Sequence, residues 1–157
     1  MTVPALRRLL GRFERTVTKN AEQRGKYSDD PTKFIDSESD LDTMLKQFLP
    51  LTQNPALYYP ELVNTGTVGI LANLLSHENT DIAVDVVEVL QELTDEDVGN
   101  DEADLDDEEE GAAETSTGTR LALAQFVDVL VSLLTILRLW LTVISSRIRS
   151  SSSSSPT

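Results

Sequence analysis

The sequence predicts an all-α fold of the stacked-solenoid kind, and three observations predict it. Residues 54–94 read as three short helices in a row, with Pro55 and Pro60 bounding or opening the first, Thr65-Gly66 turning into the second, and His77-Glu78-Asn79 separating the second from the third. The third helix is apolar around most of its circumference, through Ile82, Ala83, Val86, Val87, Val89, Leu90 and Leu93, and carries one narrow acidic stripe, Asp81, Asp85, Glu88 and Glu92. Such a helix is expected to be packed between neighbours with only its carboxylates facing water. Two amphipathic helices precede this unit and serve as capping helices over residues 1–53.

In order along the chain, Leu6, Leu9, Leu10, Phe13 and Val17 recur at helical spacing, with Arg7, Arg8, Arg12, Arg15 and Lys19 over the other side. This is a basic amphipathic helix, read as a cap with a solvated face; an anionic membrane surface or an import signal is the functional alternative. Tyr27-Ser28-Asp29-Asp30-Pro31 breaks it, because the residue before proline is pushed out of helical geometry. Leu41, Met44, Leu45, Phe48 and Leu49 then restore the helical period, with Ser37, Ser39 and Asp40 as candidate N-caps and Pro50 as the stop or bend. The three-helix unit of residues 54–94 follows. Residues 95–119 hold twelve acids and no base, so repulsion predicts a disordered acidic loop; neither register of it meets the glycine and glutamate requirements of a calcium-binding EF-hand loop. Residues 120–149 form an apolar helix, and a Ser-rich tail occupies 150–157.

Composition restricts function. The chain has 157 residues, Lys+Arg 13 against Asp+Glu 27 and a net charge of −14, which disfavours phosphate-backbone binding and favours basic partners. With no cysteine and one histidine, His77, the sequence offers no thiolate nucleophile and no cysteine-based zinc site. His77 is read as a structural loop imidazole. Carboxylates abound, but nothing walls a pair into a cleft that would separate their pKa values, so no enzyme, metal or cofactor is expected.

The pattern Asn54-Pro55, Glu61-Leu62-Val63, Gly66, Leu71 with Leu74-Leu75, Asp81 and Val89-Leu90 with Leu93 resembles one armadillo repeat. Lys19-Asn20, Asp30-Pro31 to Phe34, Ser37-Glu38 with Asp40-Leu41, Leu57-Tyr58 and above all the run from Leu74 to Asp95 narrow this to the nuclear β-catenin-like protein 1 family. The resemblance runs from Leu6 to Val98, more faintly from Arg120 to Val131, and stops there. It implies an armadillo-like α-solenoid fragment, with capping helices plus one clear repeat, in a nuclear protein associated with pre-mRNA splicing. The implied activity is non-catalytic: binding the basic, nuclear-localisation-like segments of splicing-complex proteins, without direct contact to nucleic acid. Members of the family carry several repeats in series, so the chain reads as the front end of a longer protein.

In armadillo proteins third helices line the concave groove, and the tryptophan and asparagine ladder positions of the importin-type repeat fall at Glu88 and Glu92. Neither ladder residue is present, which leaves charge attraction by Asp81, Asp85, Glu88 and Glu92 as the partner-binding mechanism; a merely solvated stripe is the alternative. After residue 131 the apolar run from Val129 to Ile144 has three readings: a non-native tail, a buried helix, or a membrane anchor flanked by Arg147 and Arg149. The last defines the competing function, a tail-anchored membrane protein with an acidic helical cytosolic domain.

Overall fold

The computed structural model describes residues 1–95, 98 and 110–151; within the last helix, side chains are described for 117–136, 138, 139 and 142. Among the described residues there are only helices: α1 (Val3–Lys26), α2 (Ile35–Leu45), α3 (Pro55–Asn64), α4 (Thr67–Leu74), α5 (Thr80–Leu93) and α6 (Glu110–Ser151), with 3₁₀ turns at Pro31–Lys33 and Lys46–Gln53.

Each boundary has a local cause. The Asp30 carboxylate accepts the Thr32 N–H at 3.2 Å and opens the first 3₁₀ turn on Pro31. The residues expected to cap α2 lie inside it, because the helix starts earlier, at Ile35; Ser37 instead donates back to the Phe34 carbonyl at 2.7 Å. Pro50 acts at a distance: it has no N–H to give the Lys46 carbonyl and its ring crowds that group, so α2 tightens to 3₁₀ at Lys46. The Asn54 carboxamide caps α3 through the Leu57 N–H at 3.2 Å, with Pro55 at the first helical position. Pro60 does not bound α3 but lies within it. Gly66 turns the chain into α4 at φ 72, a left-handed backbone that favours glycine, and Asn79 caps α5 through the Asp81 N–H at 3.0 Å.

The core joins Leu6, Leu10 and Phe13 of α1 to Leu41 and Leu45 of α2, Phe48, Tyr59 and Leu62, Leu71 of α4, Ile82, Val86 and Leu93 of α5, and Phe126 of α6. Phe13 meets Phe48 edge-on at 4.8 Å. Tyr59 is the centre of the second half: its ring lies 5.1 Å from that of Phe126, and its hydroxyl donates to the Leu93 carbonyl at 2.8 Å. Burial raises the Tyr59 phenol pKa above its ordinary range, which favours the protonated form that donates.

Helix α6 differs from the expected apolar helix at 120. It starts at Glu110, so the last ten residues of the expected disordered loop are helical; the rest of that loop, 96–97 and 99–109, lies outside the described residues. Acids at a helix N-terminus complement the macrodipole, and Ala112-Ala113 favour helix, which offsets the repulsion that predicted a loop. Further on, Thr119, Ala122, Phe126 and Leu130 are buried, chiefly against α3 and also against α4. The apolar run thus packs on the core at least to Leu133, which lies partly buried against the cluster, as its buried-helix reading expects. Its outer side leaves Leu121, Val131, Ile136 and Leu139 exposed. Thr117–Ile136 is long and apolar enough to cross a membrane, with mean hydropathy 1.6, yet the same stretch supplies Phe126 to the core. The Arg147 and Arg149 side chains and residues 152–157 lie outside what is described.

Candidate partner-binding face

The four predicted carboxylates do share α5, but α5 is not enclosed as its composition suggested. Neighbours cover one side only, from α2, the Lys46–Gln53 turn and α4. Ile82, Val86, Val89, Leu90 and Leu93 are buried, whereas Val84 and Val87 are about half exposed, at 49% and 52%. The wet face is therefore broader than a carboxylate stripe and partly apolar.

The acids themselves divide. Asp81, Glu88 and Glu92 are exposed. Asp81 lies in the first turn, where its charge complements the positive end of the helix dipole, so it has a structural use as well. Asp85 is partly buried against α2, within hydrogen-bonding reach of Asp42. Burial first, and then the Asp42 carboxyl, hold the Asp85 pKa above the ordinary carboxylate range. Asp42 moves the other way, held low chiefly by the Lys46 ammonium at 2.6 Å. Asp42 raises the Lys46 pKa most, and Asp85 and Glu88 add to it. The sequence reading missed Asp42 and Lys46. Their i,i+4 spacing on the chain marked an ion pair, but only the packing of α2 on α5 shows that the pair abuts the stripe and partly neutralises its middle.

A second group of polar residues locks the framework that presents this face. The Asn79 N–H donates to His77 Nδ1 at 3.1 Å, which makes Nδ1 an acceptor and assigns the proton to Nε2; Nε2 then donates to Asn20 Oδ1 at 2.9 Å. Asn20 Nδ2 donates to Ser37 Oγ at 3.0 Å, and Ser37 to the Phe34 carbonyl. Alongside runs an ionic chain: Arg24 pairs with Glu38 and Glu78 and covers the Phe34 ring at 4.7 Å, while Asn79 Nδ2 donates to Glu38 at 2.8 Å. Asn20, Arg24, Phe34, His77 and Glu78 border a cleft of about 500 Å³ between α1 and the α4–α5 loop. Burial lowers the His77 pKa, and Arg24 acts in the same direction; the Asn79 carbonyl, Glu38 and Glu78 oppose it. His77 is structural, as read, but it is not an isolated loop residue. Asn20, Phe34, Ser37, Glu38, His77, Glu78 and Asn79, which carried the family resemblance as scattered segments, converge in this one network.

A family described as catenin-beta-like, Arm-motif containing and nuclear matches residues 1–141, ten residues beyond the point where the visible resemblance stopped. The chain is 43% identical over 101 residues to a beta-catenin-like protein 1 homolog of Schizosaccharomyces pombe, covering 64% of this chain and 18% of that protein. It is 39% identical over 108 residues to beta-catenin-like protein 1 of Homo sapiens and of Bos taurus, covering 69% of this chain and 18% of each relative. It thus spans less than a fifth of the length of these relatives. With its family match and its all-helical architecture, the chain belongs to the catenin-beta-like family of nuclear armadillo-motif proteins.

Proposed function

We propose that this chain is a segment of a non-catalytic, armadillo-type scaffold that works in the nucleus with the pre-mRNA splicing machinery. Its contribution is to attract basic, nuclear-localisation-like segments of partner proteins to the exposed face of α5. One observation carries the reading: Glu88 and Glu92 stand exposed beside the half-exposed Val84 and Val87, so charge and apolar contact are offered on the same surface. A Lys/Arg-rich segment needs both, charge for its head groups and apolar surface for its methylene stems. Nuclear location and the splicing association rest on the family's description and on the resemblance. The test is a titration with a labelled Lys/Arg-rich peptide. Glu88→Lys with Glu92→Lys should weaken binding and flatten its salt dependence; unchanged binding would remove the stripe from the mechanism. The competing membrane-anchored reading predicts retention in the pellet after alkaline extraction. Burial of Phe126 within the apolar stretch disfavours it.

A further inference from the structure

Helix α1 carries a second charged surface of opposite sign. Arg8, Arg12 and Arg15 stand at i, i+4 and i+7, all exposed, on the side of α1 away from Leu6, Leu10 and Phe13. They border a shallow groove of about 590 Å³ whose floor is the backbone at Gly11, where a side chain is missing. Four other cations along this part of the chain are engaged in ion pairs, Arg7 bidentate on Glu61 at 2.8 Å, Lys19 on Asp40 at 2.8 Å, Arg24 on Glu38 and Glu78, and Lys46 on Asp42, while Lys26 lies over the Tyr27 ring and Lys33 makes no ion pair with a described carboxylate. The three arginines make no ion pair with any described carboxylate, in a chain with 27 acids against 13 bases. Arg8 reaches only the Pro4 carbonyl of its own helix, at 3.2 Å.

The arrangement is electrostatically unfavourable for the helix that bears it. Arg8 and Arg12 are like charges at i,i+4, and Arg12 and Arg15 repeat the conflict at i,i+3. The first turn of α1 holds no acid, so the positive end of its dipole is followed by further positive charge. A helix needing only solubility would be better served by mixed charge at these positions.

We propose that Arg8, Arg12 and Arg15 form a docking site for an acidic, extended segment of a partner protein. Guanidinium forks bind carboxylates bidentately, and three of them in line set both direction and register. Arg8 to Arg15 spans about 10 Å along the helix, the reach of about three or four extended residues. A short run of Asp and Glu fits that length. The net charge of −14 selects against a longer polyanion such as RNA, whose flanking phosphates would meet the acidic remainder of the chain. The site is separate from the α5 face and attracts partners of opposite charge.

The test is fluorescence anisotropy on the whole chain with a labelled peptide of alternating Glu and Ser. Oligouridylate and phosphatidylserine vesicles serve as competing probes. Arg8→Gln, Arg12→Gln and Arg15→Gln together should weaken the peptide by about tenfold or more at about 50 mM salt, while Lys33→Gln should leave it unchanged. The triple variant should also melt no lower than the parent, because like-charge repulsion is removed. Equal weakening by Lys33→Gln, no peptide binding at low salt, preference for oligouridylate or vesicles, or a clear fall in melting temperature would each overturn the proposal.

Discussion

Replacing Asn20 by alanine tests whether the polar lock, rather than apolar packing alone, holds α1 to the rest of the fold. Asn20 is 2% exposed and bonds through both ends of its carboxamide, accepting from His77 at 2.9 Å and donating to Ser37 at 3.0 Å. Ser37 keeps its bond to the Phe34 carbonyl in the variant, so its loss is small. His77 loses the only acceptor of Nε2–H in a partly buried site, and an orphaned donor there costs about 1–3 kcal/mol. The lost Asn20–Ser37 bond adds about 1 kcal/mol, giving about 2–4 kcal/mol in all. For a chain of this length that lowers the melting temperature by about 4–16 °C. Urea denaturation followed by circular dichroism at pH 7 reads the loss directly. A change below about 0.5 kcal/mol, the size expected of a surface substitution, would show that the lock is ornamental and the core carries α1 alone. The pH dependence is a second check. His77 is held below its unfolded pKa of about 6.5, so the stability it contributes is complete above that value and is lost as pH falls through the lower folded pKa. Protonation falls on Nδ1 and breaks the bond from the Asn79 N–H, leaving the Nε2–H bond to Asn20 in place, so the acid limb should persist in Asn20→Ala.

Phe126→Ala should cost about 3–5 kcal/mol, since the ring is fully buried against Tyr59, while Leu121→Ala at 69% exposure should be close to neutral; equal effects would remove α6 from the core. Asp85→Asn should raise the denaturation midpoint at pH 7, because the folded state holds the Asp85 pKa above its unfolded value and penalises the ionised form; below about pH 4, where the group is neutral in both states, the gain should vanish. Lys46→Ala should tighten the Lys/Arg-rich peptide, by freeing Asp42 and removing a cation from beside Asp85 and Glu88; weaker binding would mean that Lys46 contacts the partner itself. Arg24→Ala should destabilise more than Arg24→Lys, since only the guanidinium bridges Glu38 and Glu78 while covering Phe34.

Local chemistry was legible where it was decided locally. The breaks at Asp30-Pro31, Thr65-Gly66 and His77 to Asn79 follow from residues within one turn of the boundary. What resisted reading was decided by packing. Pro50 shortened α2 at Lys46, four residues upstream. The circumference of α5 looked buried except for its acidic stripe because Val87 read as core, yet no described neighbour covers the half-exposed Val84 and Val87. Asp85 looked like one of four equivalent carboxylates, and only the packing of α2 beside it sets it apart. Charge density predicted a loop through residue 119, while helix propensity and burial of Thr119 and Ala122 favoured α6. His77, read as lone, lies 57 residues from the side chain that accepts its Nε2–H, a separation over which no local pattern carries information.

That separation also sets the order in which the molecule is finished during synthesis. Helix α1 leaves the ribosome first, yet the partner that closes its polar lock is the segment at the N-terminus of α5, and the link from Asn20 to His77 closes a loop of 57 residues. Until that segment has emerged, Asn20 can use Ser37, 17 residues away, but not the imidazole. Short-range helices thus form early and the lock late. Substitutions in the lock should then act mainly on the rate of unfolding, leaving the rate at which the nascent chain first collapses nearly unchanged.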